Sequence, residues 1–255
     1  MPGDTFILRR RVLTNEDGYN RWILKEETLP LPASQTALVV VDMWDRHWSA
    51  GATARCGALA VKINGAVQRA RARGILIVHA PSDTMDFYRG HPARLRFLDA
   101  AKNPGGEPET IPETVPVAGY PAPVDSSDGG SDTPALDAYA PNTRVWKRQT
   151  EKIEIDGNLD LICGDEGDAL RSVLRGRGVN NIIYTGVHTN MCVLGRSFGI
   201  KNMLRHGFTA ILVRDLTDAM YNPEKPPYVD HDEGVRLIVE YIEKMYCPTT
   251  GSDQI

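Results

Sequence analysis

Cys192 is the residue of this 255-residue chain whose setting most directly invites chemistry. It lies in Asn181-Ile-Ile-Tyr-Thr-Gly-Val-His-Thr-Asn-Met-Cys192-Val-Leu-Gly-Arg-Ser-Phe-Gly-Ile200, a stretch that opens as a short apolar β-branched run, breaks at Gly186 and resumes with helical periodicity to about His206. The pattern predicts a buried strand, a sharp turn, and a helix with a thiol where it begins. Unpaired N–H groups and the positive dipole end of a helix favour thiolate over thiol, which would make the sulfur a nucleophile near neutral pH. The bland alternative is a small buried hydrophobe, the ordinary role of a lone Cys.

The company that Cys192 keeps is more specific. Gly186-Val187-His188-Thr189-Asn190-Met191-Cys192-Val193 resembles the nucleophile motif of the isochorismatase-like cysteine hydrolases, which include nicotinamidases and N-carbamoylsarcosine amidases. The resemblance spans most of residues 35 to 220 and implies a triad of Asp, Lys and Cys, with the Asp ending the first strand of the sheet and the Lys ending the third. The matching positions are Asp42, which closes Thr36-Ala-Leu-Val-Val-Val-Asp42, and Lys147, which closes Asn142-Thr-Arg-Val-Trp-Lys147. Taken singly, either has a plain reading, since an Asp can cap a loop and a Lys is usually a solvated surface residue.

The chemistry implied is attack by Cys192 on a carbonyl carbon to form a thioester acyl-enzyme. Asp42 would move the protons, and Lys147 would hold thiolate and carboxylate in their charged forms. The resemblance also implies an oxyanion hole from the amides of His188 and Cys192 and a cis peptide between Val187 and His188. The expected activity is therefore cleavage of a C–N bond in a small amide, carbamoyl or ureido substrate. Alternatives are an isochorismatase-like or nicotinamidase-like activity, a binding protein that keeps the fold without turnover, and a thiol redox protein. A redox role lacks a resolving Cys close in sequence to Cys192.

Two departures from the relatives shape the expected pocket. The Asp-x-His metal site of nicotinamidases is not reproduced in Ser82-Asp83-Thr84-Met85-Asp86-Phe87-Tyr88, with His91 coming only later, so neither a metal nor another cofactor is expected. His47, Asp83 and His91 are the residues that would have to converge for a metal to bind. Where many relatives carry Gln two residues after the catalytic Asp, this chain has Trp44. Trp44, Trp48, Phe87 and Tyr88 are the candidate pocket wall, with core packing as the ordinary alternative.

The remaining features bound the class of protein. A formal charge of -4 disfavours nucleic-acid and anionic-membrane partners, both of which need a basic face. The four cysteines form no CxxC pair, which reads as free thiols in a reducing, cytoplasmic compartment, and the first residues do not read as a secretory signal. The expected partners are a small-molecule substrate and further copies of the chain in a homo-oligomer.

Strands alternate with helices from residue 35 onward, which predicts a three-layer α/β/α domain over 35–255 with a mainly parallel sheet of five to six strands. Residues 1–34 read as an N-terminal β-hairpin arm turning around Asn15-Glu-Asp-Gly18. Residues 103–142, rich in Pro, Gly, Ser and Asp, read as a long surface insertion placed to act as a lid, a subunit contact or a solvated decoration. In such sheets ligands bind beyond the carboxyl ends of the strands, where Asp42, Lys147 and Cys192 are all expected.

Overall fold

The structure, a computed structural model, describes residues 5–102, 121–136 and 140–255. In chain order it runs β1 (Thr5–Glu16), β2 (Tyr19–Pro30), β3 (Thr36–Val41), α1 (Ala50–Ala72), β4 (Leu76–Ala80), α2 (Met85–Tyr88), α3 (Pro92–Lys102), β5 (Leu161–Ile162), α4 (Gly167–Gly176), β6 (Asn181–Val187), α5 (Ile200–Arg205), β7 (Thr209–Asp218), α6 (His231–Met245) and β8 (Thr249–Thr250).

β3 shows why the chain folds in layers. Every residue of Thr36–Val41 is buried, as a parallel strand covered on both faces requires. Ala37, Val39 and Val41 face one core, shared with α3, α4, α5 and α6, while Leu38 and Val40 face a second core shared with α1. The alternation places helices on both sides of the sheet. The expected three-layer α/β/α architecture is therefore present.

The sheet order is β2-β1-β8-β7-β6-β3-β4-β5, eight strands rather than five to six. Six of these, β8 through β5, are parallel; the additional two are the hairpin, joined antiparallel to β8 by the pairing of Arg9 with Thr249. Asp17 and Gly18 both have positive φ, 54° and 81°, the two-residue turn whose twist suits a hairpin. Arg9 and Arg11 bind Glu243 of α6, so the base of the hairpin is part of the main body. The sheet edge offered by β8 is what extended the predicted sheet.

The third strand differs from expectation. Residues 143–147 form no strand; β5 at Leu161–Ile162 pairs with β4 instead, and the earlier segment is followed by an isolated bridge between Gln149 and Trp44, just beyond β3. The predicted continuous helix to His206 is also divided. A π-helical turn at Thr189–Val193 is followed by an irregular stretch at residues 196–199 before α5 begins. Gly199 permits the break, because a Cβ there would lie 2.9 Å from Arg196 N and 3.0 Å from Val193 O.

Of the insertion, residues 103–120 and 137–139 lie outside the described residues. Residues 121–136 are strapped across the start of α1: Thr133 Oγ1 accepts the Gly51 N–H at 2.7 Å, Leu136 N–H donates to Trp48 O at 2.7 Å, and Asp132 pairs with Arg55 Nη1 at 2.6 Å. Arg55 also binds Asp218 at 3.0 Å, and Asp218 accepts His231 Nε2 at 2.8 Å. Burial pushes the Asp218 carboxyl up, but the His231 hydrogen bond and Arg55 outweigh it and hold the group below the usual carboxylate range.

Arg55 thus serves two carboxylates in a poorly solvated cluster. Arg55→Met is expected to cost about 3–5 kcal/mol at pH 7, because removing one partner leaves buried charge uncompensated. The depressed Asp218 carboxyl stabilises the fold above its unfolded value and loses that contribution as pH falls through its folded value. Urea unfolding at pH 7 and pH 3 should accordingly show the difference between wild type and variant shrinking in acid. A difference below 1 kcal/mol at pH 7 would rule out the cluster as a structural clamp.

Candidate active site

The sheet reverses its winding at β3. From there the chain adds β4 and β5 on one side and returns to build β6, β7 and β8 on the other, so β3 and β6 flank the switch point where ligands bind in this class of sheet. Val41 is in register with Gly186. Gly186 has φ 112°, and a Cβ there would sit 2.1 Å from Val41 O, so only glycine lets the two strands meet at this level. The segments that leave these neighbouring strand ends carry Asp42 and Cys192.

Asp42 has φ 45°, an unusual conformation for a residue with a Cβ, which turns its side chain off the end of β3. The carboxyl is fully buried, and Oδ1 accepts the Ser82 N–H at 2.7 Å. Oδ2 makes no well-formed hydrogen bond; Arg196 Nε stands 3.5 Å away, and the Cys192 thiol adjoins the carboxyl. Burial raises the Asp42 pKa to about 6, against the opposing pull of Arg196. The carboxyl is therefore ionised at neutral pH but not strongly so.

Cys192 is partly exposed, in contrast to the buried Cys56, Cys163 and Cys247. Burial of its sulfur, followed by the adjoining Asp42 charge, pushes the thiol up to about 12, while Arg196 pulls it down. The resting pair is thus a thiol beside a carboxylate. The thiolate expected from a helix start is not the resting form, because burial of the sulfur, followed by the nearby Asp42 charge, disfavours it.

Arg196 was not singled out by the sequence. One turn beyond Cys192, it places Nε toward Asp42, Nη2 3.5 Å from Asp83 Oδ2 and Nη1 3.3 Å from Asp165 Oδ1. The i to i+4 spacing from Cys192 is the signal that would have found it. Lys147 is exposed, and its backbone N–H donates to Asp45 Oδ1 at 3.1 Å. Among the described residues no ion pair joins Lys147 to Asp42.

The Val187–His188 peptide is cis. His188 follows it, buried, with Nε2 making no hydrogen bond among the described residues. Burial, reinforced by His47, lowers its pKa to about 3; burial likewise lowers that of His47 to about 4, so both rings are neutral at physiological pH. Their rings meet edge to face at 5.0 Å.

Trp44 stacks on Trp146 at 4.0 Å and donates Nε1–H to Ser82 O at 3.1 Å. Asp42, Trp44, His47, Val187 and His188 line a cavity of about 10 Å³, room for one water molecule. Trp48 packs beside them on Ala52 and Met220.

The other two expected wall residues lie elsewhere: Phe87 is exposed beneath the Arg148 guanidinium, and Tyr88 is core, its hydroxyl accepting the Gln149 N–H at 2.9 Å. The loop after β4 forms the short helix α2, which carries both rings. Trp146, missed by sequence reading, supplies the stacking surface, and its Nε1 is buried with no hydrogen bond among the described residues. His47, Asp83 and His91 do not converge. His47 Nδ1 accepts from Ser49 N–H, Asp83 binds Arg196, and His91 Nδ1 accepts from Ala93 N–H. Among the described residues no group of three His, Cys, Asp or Glu side chains is arranged to hold a metal ion.

An isochorismatase domain model matches residues 36–226, most of the chain and all of the strand ends just described. The chain belongs to the isochorismatase family. It is 27% identical over 200 residues to ureidoacrylate amidohydrolase RutB of Klebsiella pneumoniae (strain 342), covering 72% of both chains. It is also 27% identical over 209 residues to the RutB of Acinetobacter baylyi, covering 76% of this chain and 74% of that one. Among solved structures, a cysteine hydrolase from Pseudomonas syringae pv. phaseolicola superposes with a TM-score of 0.55 at 19% identity, covering 89% of this chain and 92% of that one, a likeness of fold. The isochorismatase-family match ends at residue 226, so α6 and β8 lie beyond it, as does the hairpin at the other end.

Proposed function

We propose that the protein is a cysteine hydrolase that cleaves a C–N bond of a small amide, carbamoyl or ureido compound, with Cys192 as nucleophile and Asp42 as general acid and base. The observation that supports this reading best is the meeting of the Cys192 thiol with a buried, weakly acidic carboxyl at the switch point of the sheet. The similarity to ureidoacrylate amidohydrolases favours a ureido substrate within that class.

In the proposed cycle Asp42 takes the thiol proton as Sγ attacks the carbonyl carbon. The tetrahedral oxyanion is received by the backbone amides of His188 and Cys192. Collapse breaks the C–N bond, and the proton held by Asp42 goes to the departing nitrogen. Water then attacks the thioester, giving its proton to Asp42, and the acid product leaves as the thiol is restored. The neutral His188 and the Trp44–Trp146 stack orient a planar substrate group.

A panel of ureido acids, N-carbamoyl amino acids, simple amides and nicotinamide tests this, read by ammonia release and by mass spectrometry of quenched enzyme. Turnover with an adduct on Cys192 is expected; turnover that persists after Cys192 is blocked would remove the nucleophile assignment. The rate should also rise through one acid limb. Because Asp42 must be ionised and both nearby imidazoles stay neutral, kcat/KM is expected to fall with a single limb near pH 6. A limb below pH 4.5 would mean that Asp42 is not the base.

A further inference from the structure

We infer that Arg196, and not Lys147, is the positive charge of the catalytic centre, so that the working set is Asp42, Arg196 and Cys192. The inference rests on the assignment of Cys192 and Asp42 as nucleophile and base.

The guanidinium is held like a bracket. Nη1 and Nη2 reach Asp165 and Asp83, which leave from the carboxyl ends of β5 and β4, and the Nε edge is turned inward to Asp42 and Cys192. Three carboxylates 3.3–3.5 Å from its nitrogens hold the cation at the carboxyl ends of the strands by charge. Lys147 lies in a segment that is not a strand, with its side chain in solvent. Where relatives are expected to end a third strand with the cation, this chain supplies it from the nucleophile's own turn.

A guanidinium carries consequences that an ammonium does not. It never gives up its proton under working conditions, so Asp42 alone moves protons while Arg196 acts by charge and position. As Sγ loses its proton, negative charge passes from the Asp42 carboxylate to the sulfur, and Arg196 lies close enough to act on both groups of that exchange. The transfer therefore occurs against a fixed cation, with no charge left unpaired on either side.

The test is the pH dependence of iodoacetamide alkylation at Cys192, read residue by residue by mass spectrometry in wild type, Arg196→Lys, Arg196→Gln and Lys147→Ala. Arg196→Gln is expected to slow alkylation at pH 8 about tenfold or more and to move the profile to higher pH, since one pKa unit is tenfold in thiolate. Arg196→Lys should recover part of that loss, and Lys147→Ala should stay within about twofold of wild type. On the best substrate of the panel, Arg196→Gln is expected to lower kcat about 100-fold or more, the scale of losing one charge stabiliser, and to move the acid limb above pH 6. Circular dichroism checks that the variants fold, and if Arg196→Gln does not, the comparison of Arg196→Lys with Lys147→Ala decides, a shift in the second and none in the first overturning the inference. An alkylation shift in Lys147→Ala with none in Arg196→Gln overturns the inference, as does a rise in KM alone in Arg196→Gln, which would make Arg196 a substrate clamp. A wild-type Cys192 inert at every pH would instead sink the nucleophile assignment, and this inference with it.

Discussion

Cys192→Ala is expected to lower kcat/KM by roughly four to six orders of magnitude, the range seen when a covalent nucleophile is removed. Nothing else nearby can replace the sulfur. The other three cysteines are buried, with burial holding the Cys56 and Cys247 thiols up near 12 and Cys163 higher still. Stability should hardly change, because the residue is not fully buried and its loss removes a single heavy atom. Cys192→Ser separates chemistry from shape: an alcohol beside the same Asp42 has nearly the same volume but a much weaker nucleophile, and is expected to be almost as inactive. Turnover within tenfold of wild type in either variant would show that hydrolysis proceeds without a thioester.

Asp42→Asn is expected to act on activity and stability in opposite directions. Without a proton acceptor for the thiol, kcat should fall about 100- to 10,000-fold, the range of general acid–base contributions. The isosteric amide can still accept the Ser82 N–H through its oxygen, so the geometry at the end of β3 is kept.

The stability effect follows from linkage. Asp42 titrates near 6 in the fold against 3.8 unfolded, so between those values the native state binds the extra proton. Stability consequently falls as pH rises through that window, by about 3 kcal/mol in all. The neutral Asn does not carry this cost, and Asp42→Asn is expected to be the more stable protein above pH 6 and to lose its advantage near pH 4. Thermal melts of both proteins from pH 4 to pH 8 measure it. A constant difference across that range would mean that the Asp42 carboxyl is not the buried, raised group described.

A site that is stabilised by its own inactivation has a physical explanation in the same numbers. Burial weakens the acidity of Asp42 enough for it to take up and release a proton near neutral pH, and the free energy of that tuning is drawn from folding. Arg196 limits the cost by countering the buried charge, which is why its loss should disturb the acid limb as well as the thiol.

Much of this was legible in the sequence because it is local or periodic. The buried run of β3, the alternation of strands and helices, the turn at Asp17-Gly18 and the strand-to-turn motif around Cys192 are written in consecutive residues, and the layered α/β/α fold follows from them. Asp42 was found for the same reason, as the polar residue that ends an apolar run.

Contacts between distant segments were decided only by tertiary structure. Lys147 ends the six-residue run Asn142-Thr-Arg-Val-Trp-Lys147, which joins no strand of the sheet, since β5 takes the place beside β4, and nothing in the run itself reveals that competition. Arg196 became the cation because Asp83 and Asp165, from loops 82 residues apart, converge on it. The hairpin joined the sheet because β8, near the other end of the chain, left an edge for β1. Periodicity reports which face of an element is buried, but which charges meet across strand ends depends on sheet order, and sheet order is fixed by packing over the whole chain.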